Sequence, residues 1–569
     1  MNIKHAIEKG LEAILVSGIL WLGINCKNSE NHNSLNHDPN AYCVDQEKGD
    51  DSSEGTFEFP WKTIGKANQT LQPGEKVIIK KGIYNETIAP VSDGTQNSPI
   101  IYQGLNSPII RGKKGAIAAI DLKRKKHIIV DDIQIINPEK RYASLTGAEE
   151  CTIENCVMEG IGPHQGITIG TYGDAPETES SYIIIRKNKI KGYPKNVPEA
   201  LETISLFFNA HHILIEENEI EDADHTAIYV KGSGDGPTRI AEGPHHNVIR
   251  NNTISNKLHH CISEGYGAHD NLYEGNLILF SGPDQEGFHL GFNKAIIRFN
   301  TVLESGSPDL KSRLEAGVGF NSQTLKGKLY RSSENKICHN LFAYNRSPGI
   351  GLAMSVVSPE CFEYPITFTG NNSFVNNIIV ENSLALPSKY ENIQILYRSW
   401  KSKDCNTNVL PITGDVYRNN IIGVNPFEKV LRLEWPKDNN SYTTQEAEQL
   451  QNPVFKGNFS ADPQFLNPDK NNFGLSLESP ARNAGDFLTL TTNAGYQNTQ
   501  LEVKDSSYFT DGWGITEGDT IQVGQNKARI ISNNTETNTL SLEKPLSWNE
   551  NDPVSLPYSG ARPDIGHSE

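Results

Sequence analysis

The chain has 569 residues, 36% of them apolar, and a formal charge of −17. That length allows a large core and more than one domain, while the sparse apolar content and the abundance of Asn, Gly, Ile and Ser disfavour a helical globule and suit short strands with frequent turns. The charge argues against nucleic acid as the main partner, because phosphate binding needs a basic footprint, but it leaves room for an acidic polysaccharide held on a local basic patch.

The N-terminus carries Lys4 and Lys9 before an apolar run, Ala13–Ile24. Twelve residues are too few to span a bilayer and fit the apolar part of an export signal. Cys26 follows, and it resembles the lipidated cysteine of a bacterial lipoprotein, although Gly23 and Asn25 depart from that pattern. Residues 1–26 are therefore expected to be an export signal and 27–54 a polar linker. The protein is expected to be exported, with a membrane contact only through a lipid on Cys26, and monomeric. None of the eight cysteines forms a CxxC pair, so a zinc ribbon is not expected. Cys361 and Cys405 flank a long insertion and could pair in an oxidising compartment.

From residue 130 onward a six-residue frame recurs: apolar, two variable residues, Asn, one variable residue, apolar. It reads IENCVM at 153–158, IEENEI at 215–220, IRNNTI at 249–254, IRFNTV at 297–302 and YRNNII at 417–422. The fourth positions are 133, 156, 188, 218, 252, 276, 300, 340, 377 and 420, with Ile133 and Cys156 in the Asn place. Their spacing has a floor near 24 and a variable excess, which is the mark of one repeating coil with insertions at its corners. A second strand follows each frame: GITIG (166–170), TISLF (203–207), AIYVK (227–231), CISEG (261–265), FHLGF (288–292), GVGFN (317–321) and GIGLA (349–353). Stacked at ~4.8 Å, equivalent residues fall above one another, and an Asn at the inward turn can bond the Asn of the next coil. The expected fold is all-β, a right-handed parallel β-helix solenoid over 55–485.

The ends carry further motifs. PWKTIGKANQTLQPGEKVIIKKGIYNETI (60–88) resembles the N-terminal cap of secreted bacterial β-helix proteins of the pectate-lyase-like superfamily, through Pro73, Gly74, Glu75, Val77, Gly82 and Tyr84. ADPQFLNPDKNNFGLSLESPARNAG (461–485) and GARPDIGHSE (560–569) resemble the closing motifs of the same proteins. Residues 486–559 intervene and read as a small inserted β-module, with 560–569 as the closing strand of the helix. The resemblance implies a carbohydrate-active protein. It does not choose among polysaccharide lyase, glycoside hydrolase, uronan epimerase and a non-catalytic glycan-binding surface protein.

Seven of the 16 histidines lie within 225–289. Aligning Ile228, Ile262 and Phe288 inward places Tyr229, Ser263 and His289 in one outward column and Lys231, Gly265 and Gly291 in the next. His225, His259, His260 and Glu286 fall near the preceding turn. Glu264 lands where its neighbours are apolar, which makes it either a buried carboxyl of raised pKa or the sign of a register slip. His245, His246 and His269 read as solvated turn residues.

The candidate catalytic set is His225, Lys231, His259, His260, Glu264 and His289, with Tyr229, Asp284, Glu286, Lys311 and Arg313 as substrate contacts. The leading expectation is a lyase acting on a uronic-acid polymer. β-Elimination needs a base for the C5 proton, here His225 or His260, and a cation to neutralise the carboxylate, here Lys231, Lys311 or Arg313. The resemblance to such lyases also implies a possible Ca²⁺, with Asp222 and Asp224 as ligands; no other metal ligand is assigned. A hydrolase would need two carboxylates facing one sugar, from Asp284, Glu286 and Glu264. A glycan-binding protein would stack sugars on exposed aromatics such as Phe207, Phe208 and Tyr229.

Overall fold

The structure, a computed structural model, describes residues 40–569 apart from 161–164, 171–178, 193–201, 209, 224, 233–242, 257–259, 266, 281–285, 292, 307–315, 326–327, 357–369, 387–389, 402–412, 436–438 and 567–569. The expected signal at 1–26, Cys26, Cys361 and Cys405 lie outside the described residues.

Three long sheets run the length of the chain from Tyr42 onward. The first begins at Tyr42–Val44 and ends at Val454–Lys456; the second runs from Ile83–Tyr84 to Ile421–Ile422; the third from Ala118–Asp121 to Leu431–Glu434. Apart from antiparallel pairs at Lys328–Tyr330 and Ser441–Tyr442 on the third sheet, neighbouring strands pair in parallel, each with the equivalent strand of the next coil. One coil comprises Val248–Arg250, Thr253–Ser255 and Ile262–Gly265, after which Leu272–Glu274 opens the next. The architecture is a right-handed parallel β-helix, the hand that parallel crossovers take.

The recurring frame is the corner between the first and second sheets. Its third residue takes a left-handed conformation, as at Asn155, Glu217, Asn251 and Asn419. The following Asn turns inward and is buried. Asn276 Oδ1 accepts from the backbone N–H of Asn252 at 3.1 Å and from its Nδ2 at 3.0 Å, while Asn276 Nδ2 donates to Ile249 O and to Asn300 Oδ1. The same pattern links 188, 218, 252, 276, 300, 340, 377 and 420, and continues to Asn458, one rung beyond the frames read from sequence. At the upper end Cys156 stands in the Asn place, its N–H bonded to Asn188 Oδ1.

The ends differ from expectation in three respects. The first coil begins at Tyr42, not after a linker to 54: Tyr42–Val44 pairs with Val77–Ile79, and Trp61 packs into the core. Hydrogen-bonded turns occupy 45–55, because Asp45 and Asp50 accept local backbone N–H groups. The helix Ile64–Thr70, capped by Thr63, lays Ile64 and Ala67 over the adjoining core. At the far end the helix Thr444–Ala447 brings buried Ala447 against the core, together with Leu450. Residues 463–485 and 560–566 do not close that end. They fold back along the outer face of the second sheet, where Ala481 and Ile565 pack on Leu303, Leu341, Ile378 and Ile421. No strand forms at 560–566, whose Ile565 and Gly566 N–H groups bond to Ala481 O and Asn376 O.

Between these segments six strands from Thr489–Leu490 to Pro553–Ser555 form an antiparallel sheet of their own. This module rests on the outer face of the first sheet. Its core includes Cys338 and Val375 of the coils, and Trp513 and Ile515 cover Leu214, Val248, Leu272 and Ile296. The third sheet keeps its outer face clear of both additions among the described residues, and the candidate chemistry lies there.

Candidate functional site

The strands Ile228–Lys231, Ile262–Gly265 and Phe288–Leu290 pair in the register expected from sequence: Ile228 with Ile262 and Phe288, Tyr229 with Ser263 and His289, Lys231 with Gly265. The outward column that contains His289 is polar or small over many coils. Ser144, Thr168, Ser205, Tyr229, Ser263 and His289 stand in line, and Gly319 and Gly351 follow. Thr168 Oγ1 and Ser205 Oγ are buried and have no partner among the described residues. Beside this column, among the described residues, nothing stands within 4 Å of where a Cβ on Gly265 would be. Lys231 borders that gap, with Nζ 5.4 Å from the Tyr229 ring centroid. Among the described residues this column forms a trough of small side chains across the coils, in which Ser144, Thr168, Ser205 and Ser263 are buried and Tyr229 and His289 are partly exposed.

A cluster of three side chains stands at one point of this trough. Glu286 precedes its strand and is buried. Its Oε2 lies 3.2 Å from His260 Nδ1 and 3.3 Å from His289 Nδ1. The two imidazoles stack with centroids 4.4 Å apart. The side chain of Asn321 is 3.3 Å from His289 Nδ1. Burial opposes the Glu286 charge, but His289 and His260 outweigh it and hold the carboxyl well below its usual range. Burial, reinforced by the neighbouring His289, pulls His260 down to about 4. The anion therefore sits between a neutral inner imidazole and an outer one. The His260 side chain is only 6% exposed and that of His289 30%. Among the described members of the expected catalytic set, His289 is the imidazole of this cluster that faces the trough.

The other expected residues divide. Glu264 is not a site residue. The register holds and carries it inward, beside Val230, where its Oε2 accepts from the Tyr273 hydroxyl and from Asn271 Nδ2. Burial raises its pKa well above the ordinary carboxyl value. His260 is not an accessible base, because it lies beneath His289. His225 is half-buried, its Nδ1 3.0 Å from Thr226 Oγ1. The register aligns Thr226, not His225, with His260 and Glu286, so His225 stands one position away from the cluster. Asp222 takes a left-handed turn conformation. Phe207 is buried in full and offers no stacking platform. His259, Asp284, Lys311, Arg313 and Asp224 lie outside the described residues.

Sequence reasoning missed Asn321 and Gly319, which follow the cluster by one coil. Gly319 admits the Glu286 carboxylate: a Cβ there would meet Oε1 at 2.9 Å. It also missed His211 and His212. These join His245, His246 and His269 at the corner before the first sheet, in two columns of stacked rings. His211, His245 and His269 stack at 5.2 and 5.3 Å, and His212 stacks on His246 at 5.4 Å. Trp513 of the module meets His246 edge-on at 5.1 Å. The rings are half-buried, so these histidines are packed against one another and not solvated singly. The doublets at 211–212 and 245–246, one coil apart, were the available signal.

The protein is thus a parallel β-helix with a polar trough and a His–Glu–His cluster on its third sheet. Comparison with known proteins agrees with that class: residues 118–302 match the family model of the right handed beta helix region. Two relatives of Bacillus subtilis (strain 168) are similar over part of the chain. The uncharacterized protein YwoF is 26% identical over 220 residues, 36% of this chain and 40% of that protein. The uncharacterized protein YclG is 28% identical over 222 residues, 36% of this chain and 35% of that protein. The match spans less than half the length of either relative. Among solved structures, a PL6 family polysaccharide lyase from Pseudopedobacter saltans aligns over 74% of this chain and 96% of its own, with 10% identity and a TM-score of 0.44. The A-module of an Azotobacter vinelandii mannuronan C-5 epimerase aligns over 69% and 92%, with 11% identity and a TM-score of 0.36. At those values no residue role passes from either structure to this chain.

Proposed function

We propose that the protein is a polysaccharide lyase that cleaves a uronic-acid polymer by β-elimination along the trough of the third sheet. The observation that carries the reading is His289: a partly exposed imidazole, fixed through Nδ1 by a buried carboxylate, on a trough with a lysine at its far side. With its Nδ1–H donated to Glu286, His289 keeps the basic lone pair on Nε2 for the C5 proton of a bound uronate. Glu286 steadies the imidazolium that forms. Lys231 stands two rungs away and two residues further along its strand, about 12 Å at the backbone, and a lysine reaching over Gly265 can meet the substrate carboxylate and make the C5 proton more acidic. The hydrolase alternative loses support because Glu264 points into the core, so no described pair of carboxylates faces the trough.

The same reading places the protein outside the cytoplasm, where Ala13–Ile24 would serve as the export signal and Cys26 as a lipid acceptor. The test is incubation with a panel of polyuronates while following the absorbance of the new C4–C5 double bond. Wild-type chain should generate the signal, and His289→Ala should lose it while keeping its melting transition. Reducing ends without the double bond, C5 inversion without cleavage, or full activity in His289→Ala would each overturn the proposal.

A further inference from the structure

We infer that His260, Glu286 and His289 form a binding site for one divalent transition-metal ion of the zinc class, open toward the trough. Donor atoms of all three residues lie within 4.8 Å of one another. The two Nδ1 atoms are 3.2 and 3.3 Å from the same Glu286 Oε2. A tetrahedral ion with bonds of ~2.0–2.1 Å to nitrogen and oxygen holds its ligands about 3.3 Å apart. Two edges of such a site are therefore preformed. Two imidazoles and one carboxylate suit zinc and its first-row neighbours, whereas Ca²⁺ and Mg²⁺ select oxygen ligands.

Burial supplies an independent reason. A carboxylate as enclosed as Glu286 calls for a cation, and among the described residues the two imidazoles are the polar partners of its carboxylate oxygens. The ligands sit at or beside strands of adjoining coils, so their spacing is set by rigid elements. Gly319 leaves room for the carboxylate. Three protein ligands leave a coordination position for water or for an oxygen of a bound ligand.

Occupancy and the base role of His289 exclude each other; this consequence alone rests on the lyase reading. An ion on Nδ1 takes the lone pair there, and the single proton of the neutral ring moves through solvent to Nε2. His289 then faces the trough as a donor and no longer accepts the C5 proton. Zinc should therefore inhibit elimination.

The test is titration of the metal-stripped full chain with Zn²⁺ by calorimetry and with Co²⁺ by visible absorption. One equivalent should bind, with cobalt d–d bands of a four- or five-coordinate site. Affinity should fall about 10-fold or more in Glu286→Gln and in His289→Gln, and stay unchanged in His245→Gln/His246→Gln. His289 is partly exposed, so its variant keeps the test valid if Glu286→Gln unfolds; melting curves decide that. No uptake, uptake indifferent to both cluster variants, or uptake lost only in the 245/246 variant would overturn the site. These readouts need no turnover, so a protein that binds zinc at the cluster but cleaves no polyuronate would refute the lyase alone. If cleavage occurs and saturating zinc leaves it unchanged, the exclusion is wrong.

Discussion

The chemistry of the third sheet is decided by which atoms a single residue can reach. Glu264 and Glu286 are both buried carboxyls, yet their states are opposite. Burial drives Glu264 toward the neutral acid, against the pull of a phenol and an amide that donate to it. Glu286 meets two imidazoles and stays charged. Gly319 is as necessary to this arrangement as the ligands are. Gly319→Ala would place a Cβ 2.9 Å from Glu286 Oε1 and 3.1 Å from its Cγ. The carboxylate must shift, at a cost of about 1–3 kcal/mol from overpacking. The variant should melt at lower temperature and show changed ring chemical shifts of His289 by NMR. An unchanged histidine spectrum would mean that Glu286 does not hold the ring.

At the scale of elements, the amide ladder from Asn188 to Asn458 and a ladder of imidazoles both run along the coils. In the amide ladder each Asn is donor and acceptor at once. Asn276→Ala strips Asn252 of its acceptor and leaves Ile249 O and Asn300 Oδ1 short of a donor. Each orphaned buried group costs about 1–3 kcal/mol, so this variant should lose about 3 kcal/mol or more by denaturant unfolding. A loss below about 1 kcal/mol would show that water replaces the missing amide.

The imidazole ladder responds to acid. Burial first, and neighbouring rings second, pull His212 down to about 4 and His245 down to about 3. The unfolded chain protonates these groups near ~6.5. Between that value and the folded ones, the unfolded state binds protons that the folded state refuses, so stability falls as pH drops. The melting temperature should decline from pH 7 to pH 4.5, and His212→Gln/His245→Gln should flatten the decline. A slope unaltered in that variant would place the acid sensitivity elsewhere.

For the whole molecule, the additions cover two of the three outer faces. The β-module lies on the first sheet and the returning C-terminal segments lie on the second, which leaves the third for a ligand. The module is pinned by Arg298, buried in full and paired with Glu274 on its own sheet and Asp519 on the module. Asp519→Ala leaves that guanidinium half-paired and buried, and should cost about 3–5 kcal/mol. Asp505→Ala breaks a pair with Lys336 that is partly exposed, and should cost under about 1 kcal/mol. Hydrogen exchange of Thr520–Val523 should quicken in the first variant and not in the second. Equal effects would show that the module is held by its apolar contacts alone.

The coil, the Asn rungs and the register of the third sheet were legible in the residues by themselves. They follow from short-range rules: a strand alternates every second residue, and stacked coils bring equivalent positions together. Cys156 in an Asn place was legible for the same reason. What the chain alone left open depends on corners of variable length, where spacing no longer says which way a side chain turns. Only the folded coils put His260 beneath His289 and joined His211 and His212 to the later histidines. The docking of the module and of Ile565 on two different faces was likewise decided in three dimensions, because those contacts join residues far apart in the chain through apolar patches that look alike in sequence.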